Sequence, residues 1–418
     1  MKRNLNRLVA LCLSAALLLA ISGCGGKEIG SAGDDGEQIT AAQQMEPTET
    51  IPSAALDTQP EELVKFNWIG MDSSHLYRVM GSFLEYYDFG RQEWLSLCSS
   101  PNCDHTSNDC AAYVGDVTWA DNTTPYEGKI YYLRCMNLNQ VSLWCFDPAA
   151  QTQTEICQME SIGAFSASSS SSYIRNGVFV YQEGVTIEEG ELSRNVSRVV
   201  QIDIDTGKTI YSAEFDETYT MLGVYQEQLI GIAYSDPTES EEYDPDVAAS
   251  YEGGYYAYLD TIPVTLTIYT MPFGEEGAEW TAVWSREDAG DFTIAVHNAL
   301  YGNYFLLGDG PKVFAVDILT GEEHPMFTAE GIMASLESVI GDELFYIDIA
   351  ELSEDGATGQ MTKCVLNLTT GDIYQLGDTT GTGNPFFASG KYFIQESVQY
   401  IEKEDYYLGN WKSWIPLG

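Results

Sequence analysis

Asp203-Ile204-Asp205-Thr206-Gly207-Lys208, Asp317-Ile318-Leu319-Thr320-Gly321-Glu322 and Asn367-Leu368-Thr369-Thr370-Gly371-Asp372 are three versions of one phrase. Each follows an alternating apolar run and precedes another. The phrase predicts a strand, a tight turn with glycine where φ must be positive, and a returning strand. The aspartate caps turn amides, so its reading as a ligand is the weaker one.

Working outward, related turns recur along the chain. Tyr86-Tyr87-Asp88-Phe89-Gly90 comes first, and Cys145-Phe146-Asp147-Pro148-Ala149 second, without a glycine. Between Asp203 and Asp317, Leu266 to Gly274 runs from a strand into a Pro/Gly turn. Tyr406-Tyr407-Leu408-Gly409-Asn410 supplies a seventh. A second set of turns, at Gly128, Asn176-Gly177, Gly302, Gly341 and Gly390, leads directly into apolar strands. Four strands per unit at a period of about 40–60 residues predict a propeller. A sheet with two apolar faces cannot stand alone, and packing such sheets around an axis buries both. The expected fold is therefore all-β: a single β-propeller over residues 61–418, of about seven four-stranded blades. Its ring is expected to close by pairing N- and C-terminal strands, with Leu63–Ile69 set against the strands between Tyr392 and Trp411. The fourth unit carries an acidic, Tyr-rich insertion, about 235–260, expected to be an exposed loop or added ribbon and a candidate functional excursion.

Ahead of this lies an address. Lys2, Arg3 and Arg7 precede an apolar run from Leu8 to Ala20, too short to span a bilayer comfortably. Ile21-Ser22-Gly23-Cys24 follows, and resembles a bacterial lipobox. The resemblance implies a signal peptide at 1–23, lipidation of Cys24 and a position on the extracytoplasmic face of the cell membrane. Residues 24–60 are polar and small, predicting a disordered tether that spans about 30–35 Å. Formal net charge is −44, from 63 acidic and 19 basic residues. That charge excludes nucleic acid as a partner and favours a soluble monomer held near the membrane by lipid alone.

Cysteine carries the most specific chemistry. Cys98, Cys103, His105 and Cys110 offer three thiolates and an imidazole within 13 residues. That is a closed donor set for structural Zn²⁺. A disulfide between two of the three cysteines, with His105 incidental, is the competing reading in an oxidising compartment. Cys145 and Cys157 flank the second turn and are candidates for a cross-strand disulfide. Cys135 is a third disulfide candidate and could instead reach the neighbouring cluster. Cys364 reads as a small buried hydrophobe.

The lipobox, the polar tether, the Leu97-Cys98-x4-Cys103-x-His105-x4-Cys110 stretch and the Asp-x-x-Thr-Gly turns together resemble uncharacterised β-propeller lipoproteins of gut clostridia. The closing Glu404-Asp405-Tyr406-Tyr407-Leu408-Gly409-Asn410 is similar to their last unit. The resemblance implies a fold and a location, and brings no activity.

No catalytic residues emerge. None of the four histidines, His75, His105, His297 and His324, opens an HExxH, and G-x-S-x-G and phosphate loops are absent. Two functions from different classes remain. The first is a binding or interaction scaffold for a glycan, peptide or protein partner. The second is a carbohydrate-active or metal-assisted enzyme with an acidic site at the channel mouth. Carboxylates converging with His297 or His324 at the axis would favour the second.

Overall fold

Seven antiparallel sheets of four strands follow one another along the chain and form a ring, a seven-bladed β-propeller. The structure is a computed structural model. It describes Leu56 and residues 69–418, apart from internal stretches of which the longest are 116–121, 160–171, 351–360 and 379–384. The expected signal peptide, Cys24 and most of the tether lie outside the described residues. Leu56, within the tether's range, is buried and donates its N–H to Leu368 O at 3.2 Å.

The blades occupy 70–96, 123–158, 172–216, 219–286, 292–328, 333–378 and 387–416, each running strand one to strand four in sequence order. In blade 5 the first strand is split, Phe292–Ile294 and Leu300–Tyr301 both pairing with Tyr304–Asp309. First strands such as Ser172–Arg175 and Met333–Ile340 are largely buried. Fourth strands such as Thr152–Gln158 and Glu323–Thr328 are mostly wet. The repeated Asp/Asn turn joins strands three and four, at the periphery.

One geometry serves five of these turns. The Oδ1 of Asp88, Asp147 and Asn367 accepts the N–H groups two and three residues on; Asp203 and Asp317 each accept one of that pair. The fifth residue then donates to the carbonyl of the first. That fifth residue has positive φ in every case: Gly207, Gly321 and Gly371, but Gln92 and Gln151 in the first two blades. Gly90 is thus not the left-handed residue of the first turn, and the second turn keeps the geometry by straining a glutamine. Gly207 and Gly321 also answer a second demand. A Cβ on them would sit 2.1 Å from Ile156 O and 2.3 Å from Val283 O. Both carbonyls belong to the fourth strand of the preceding blade. Each turn rests on its neighbour's outer strand.

Apolar clusters fill the seams between successive blades. Ile174 and Phe179 of blade 3 pack on Leu133 and Leu143 of blade 2. Phe345 of blade 6 packs on Phe393 and Tyr406 of blade 7. The last seam brings Ile69, Leu76 and Tyr87 against Ile394, Tyr400 and Leu417. There Phe89 stacks on Tyr392 at 4.4 Å, the Trp94 indole N–H donates to Leu417 O, and Ser389 Oγ donates to Asp72 O.

Two expectations need amendment, and a third, the pairing of Leu63–Ile69, falls mostly outside the described residues. The seventh sheet holds four strands of its own, all from 387–416, and residues 63–68 of the expected pairing strand lie outside the described residues. The described closure works through side chains. The seventh turn is a short helix, Lys403–Tyr407, because Tyr406 must turn inward to reach the blade 6–7 seam. The insertion is neither loop nor ribbon but a 3₁₀ turn, Pro237–Glu239, and two short α-helices, Pro245–Ser250 and Tyr255–Leu259. Asp244 caps the first α-helix through the N–H groups of Asp246 and Val247. Ala248, Tyr258 and Ile262 form a small core beneath them.

Gly321→Ala is expected to lower urea stability by about 2–4 kcal/mol, since it adds backbone collision to left-handed strain. Gly81→Ala also has positive φ, +61°, but open space around it, and is expected to cost about 1–2 kcal/mol. A second prediction concerns Lys363 in blade 6. Burial holds its ammonium down at about 8, against partial opposition from Glu337. The unfolded chain keeps that proton to about pH 10.4. Between these values the folded state binds fewer protons, so this residue's destabilising contribution fades as pH rises. Lys363→Met is expected to raise stability at pH 7 by about 1–3 kcal/mol. The gain over wild type should vanish by about pH 11, read from urea melts across the range.

Candidate metal centre

The chain leaves blade 1 at Ser96 and does not enter blade 2 until Thr123. The intervening loop folds back over the blade 1–2 seam. Leu97 N–H donates to Leu84 O, Leu84 N–H to Ala112 O, and Val114 N–H to Ser82 O, so both limbs of the loop clip onto one hairpin. Between these limbs, turns at Ser100–Cys103 and Ser107–Cys110 reverse the chain twice. His105 takes a left-handed conformation with φ +55°, which swings its ring inward.

The result is convergence. One donor atom from each of Cys98, Cys103, His105 and Cys110 lies within 4.8 Å of the other three. His105 Nδ1 is 3.5 Å from Cys110 Sγ. Cys98 and Cys110 are buried, and Cys103 and His105 are half-buried. Ligands around a tetrahedral ion at about 2.3 Å sit about 3.8 Å apart, so a small contraction completes the geometry. Three sulfurs and one nitrogen can hold one metal ion.

The thiols differ in proton affinity. Burial works against a thiolate at Cys98, yet the N–H groups of Ser100 and Ala111 and the neighbouring thiols Cys110 and Cys103 hold it below the ordinary cysteine range. Burial pushes Cys110 up to about 11, with Cys103 and Cys98 adding to the effect. Asp104, exposed beside His105, is held low by the Thr106 hydroxyl and N–H.

Blade 2 supplies supporting residues that sequence reasoning did not single out. Gln151 Oε1 accepts from Ser99 N–H at 2.8 Å and its Nε2 donates to Leu97 O. Gln153 Nε2 donates to Ala111 O at 2.6 Å and Tyr113 O at 3.0 Å. Nothing in a single sequence distinguishes these glutamines from surface ones. The loop also gives Cys98, Cys110, Ala112 and Val114 to the apolar cluster that joins Leu84 to Ile130, Tyr132 and Phe146. The cluster therefore staples two blades, not one loop.

Cys145 and Cys157 stay apart. Cys145 stands opposite Thr154, and Cys157 opposite Leu143. Such diagonal positions have Cα atoms about 7–8 Å apart, beyond ordinary disulfide reach of about 6.8 Å. Both are free thiols. Cys135 stands opposite Val141, four residues along the strand from the partner of Cys145, and its side chain lies outside the described residues. Cys364 is a buried free thiol, as expected. His324 lies on the peripheral fourth strand of blade 5, edge-on to Tyr304, and not at the axis. His297 lies outside the described residues. Among the described residues, the Cys98–Cys110 set is the one group of three or more Cys, His, Asp or Glu residues with donor atoms placed for a metal.

No protein-family model and no curated protein matches the chain. Solved structures do resemble it at low identity. The tricorn protease aligns with TM-score 0.44 and 9% identity, covering 86% of this chain and 34% of its own. Dipeptidyl peptidase 4 of Porphyromonas gingivalis gives 0.42 and 7%, covering 84% and 59%. The β-propeller domain of the Trilobed protease from Pyrococcus furiosus gives 0.38 and 10%, covering 82% and 90%. The chain spans about a third of the tricorn protease.

Reduced protein is expected to bind one equivalent of Co²⁺ with tetrahedral thiolate absorption, and Cys110→Ser to abolish that spectrum. Removing the metal by chelation is expected to lower the melting temperature, measured with and without added ion.

Proposed function

We propose that the chain is a lipid-anchored extracytoplasmic propeller that acts as a binding scaffold for a glycan, peptide or protein partner. The reading is carried by the closed character of the Cys98, Cys103, His105 and Cys110 set. Four protein donors around a tetrahedral ion leave no position for a substrate, so the ion braces a surface and does no chemistry. Three thiolates and an imidazole suit zinc among the common divalent ions. The metal pins the loop whose outgoing limb, 111–115, lies against blade 2. Propeller rims assembled from such loops on a rigid ring suit recognition.

The location follows from Ile21-Ser22-Gly23-Cys24. Diacylglycerol on Cys24 and a polar tether would hold the ring outside the membrane as a monomer, and the family resembled is that of uncharacterised clostridial propeller lipoproteins. The strong negative charge keeps the ring off anionic headgroups, leaving attachment to the lipid.

Cys24→Ala is expected to move the protein from the membrane to the soluble fraction of cells. On glycan and peptide arrays the mature protein is expected to bind without turnover. Hydrolysis of an array member, lost when an acidic residue is replaced and kept after zinc removal, would instead establish the carbohydrate-active enzyme.

A further inference from the structure

Beside the metal loop is a cleft of about 360 Å³. Tyr113, Val114 and Gly115 of the outgoing limb form one wall. Arg134, Trp144 and Gln153, from strands two, three and four of blade 2, form the other. The Arg134 guanidinium lies over the Trp144 ring, 5.0 Å from its centroid. Its Nε is buried and has no hydrogen-bond partner among the described residues.

Four other arginines of the ring differ from this one, whereas Arg175 shares its buried, unbonded Nε. Arg78, Arg91, Arg198 and Arg286 each reach a carboxylate. Acids outnumber basic residues 63 to 19, yet among the described residues no carboxylate pairs with Arg134. The fold also makes room for it. Gly115 has φ +94°, and a Cβ there would sit 2.4 Å from Arg134 Nη2. The guanidinium is thus seated against bare backbone, and Arg134 lines the cleft.

We propose that this cleft is a binding site for a small organic carboxylate, held by the Arg134 fork, as on an acidic monosaccharide or a peptide C-terminus. The proposal rests on the binding-scaffold reading and adds a site and a ligand class to it. A guanidinium matches a carboxylate through two parallel N–H···O bonds. Stacking on Trp144 fixes the plane of the fork before the ligand arrives. The volume falls within the range of small-molecule sites and suits a ligand of monosaccharide size. The net charge of −44 repels polyanions over long range. A single carboxylate inside the cleft sits within a Debye length, about 8 Å, of the arginine, where the local cation decides the outcome. Gln153 holds the far wall by donating to Ala111 O and Tyr113 O, so the braced loop keeps the cleft open.

The test is calorimetric titration of the full mature, metal-loaded protein in detergent. The probes are D-glucuronate, D-glucose, dialanine and dialanine amide. Glucuronate is expected to bind and glucose not to. Arg134→Gln is expected to weaken binding by about tenfold to a hundredfold, with metal content and melting temperature unchanged, and Arg134→Lys to fall between. Binding of dialanine but not its amide or glucuronate would assign the carboxylate to peptide ends. Should Arg134→Gln fail to fold, phenylglyoxal modification of wild-type Arg134, mapped by mass spectrometry, is expected to be blocked by glucuronate. Two results overturn the site: no binding of either acid by folded, metal-loaded protein, or equal binding by wild type and Arg134→Gln. Array binding that survives Arg134→Gln would leave the scaffold standing with its ligand elsewhere.

Discussion

Every sheet in this ring has two apolar faces and can hide neither by itself. That single constraint organises the rest. Leu133 and Leu143 need Ile174 and Phe179, as Phe345 needs Phe393 and Tyr406. Burial at about 25 cal/mol per Å² gives the attraction, but not the spacing. Spacing comes from contacts that admit no side chain at all, where the backbone of Gly207 and Gly321 lies against Ile156 O and Val283 O. A nonspecific attraction is thus turned into a fixed angle between neighbours.

Much of this was legible because it is local. Alternation marks strands, and an Asx residue followed four positions later by glycine marks a turn whatever lies beyond it. What was not legible depended on context. Gln92 and Gln151 adopt the left-handed geometry without a glycine to announce it, because the capping by Asp88 and Asp147 holds the turn regardless. The helix at Lys403–Tyr407 is dictated by Tyr406 packing inward, a tertiary demand. The helices after Tyr234 did carry a signal, Asp244 as a cap with Pro245 at the first helical position. The surrounding run of strands obscured it.

The candidate centre divides in the same way. Its donors share one short loop, so their spacing was readable and the structure brings them together. The cleft beside it is assembled from strands two, three and four of another blade, and no spacing in the chain foretells that Arg134 and Gly115 meet. Local chemistry leaves a trace in order of residues; chemistry assembled across a seam does not. The two are nonetheless joined, since Cys110 and the wall of the cleft are successive residues of one loop.

The turn glycines also impose a direction. Because Gly207 and Gly321 each lean on the blade before them, synthesis from the N-terminus delivers blades 2 and 4 ahead of the partners that will cap their rims. Each of these sheets waits for one successor, a delay of tens of residues and a few seconds at ordinary translation rates of about 5–20 residues per second. The first sheet is different. Its open side is the seam filled by Ile394, Tyr400 and Leu417, which arrive last of all. Nascent chains stalled before residue 387 would therefore carry one persistently greasy flank, and that flank is where chaperones would dwell longest.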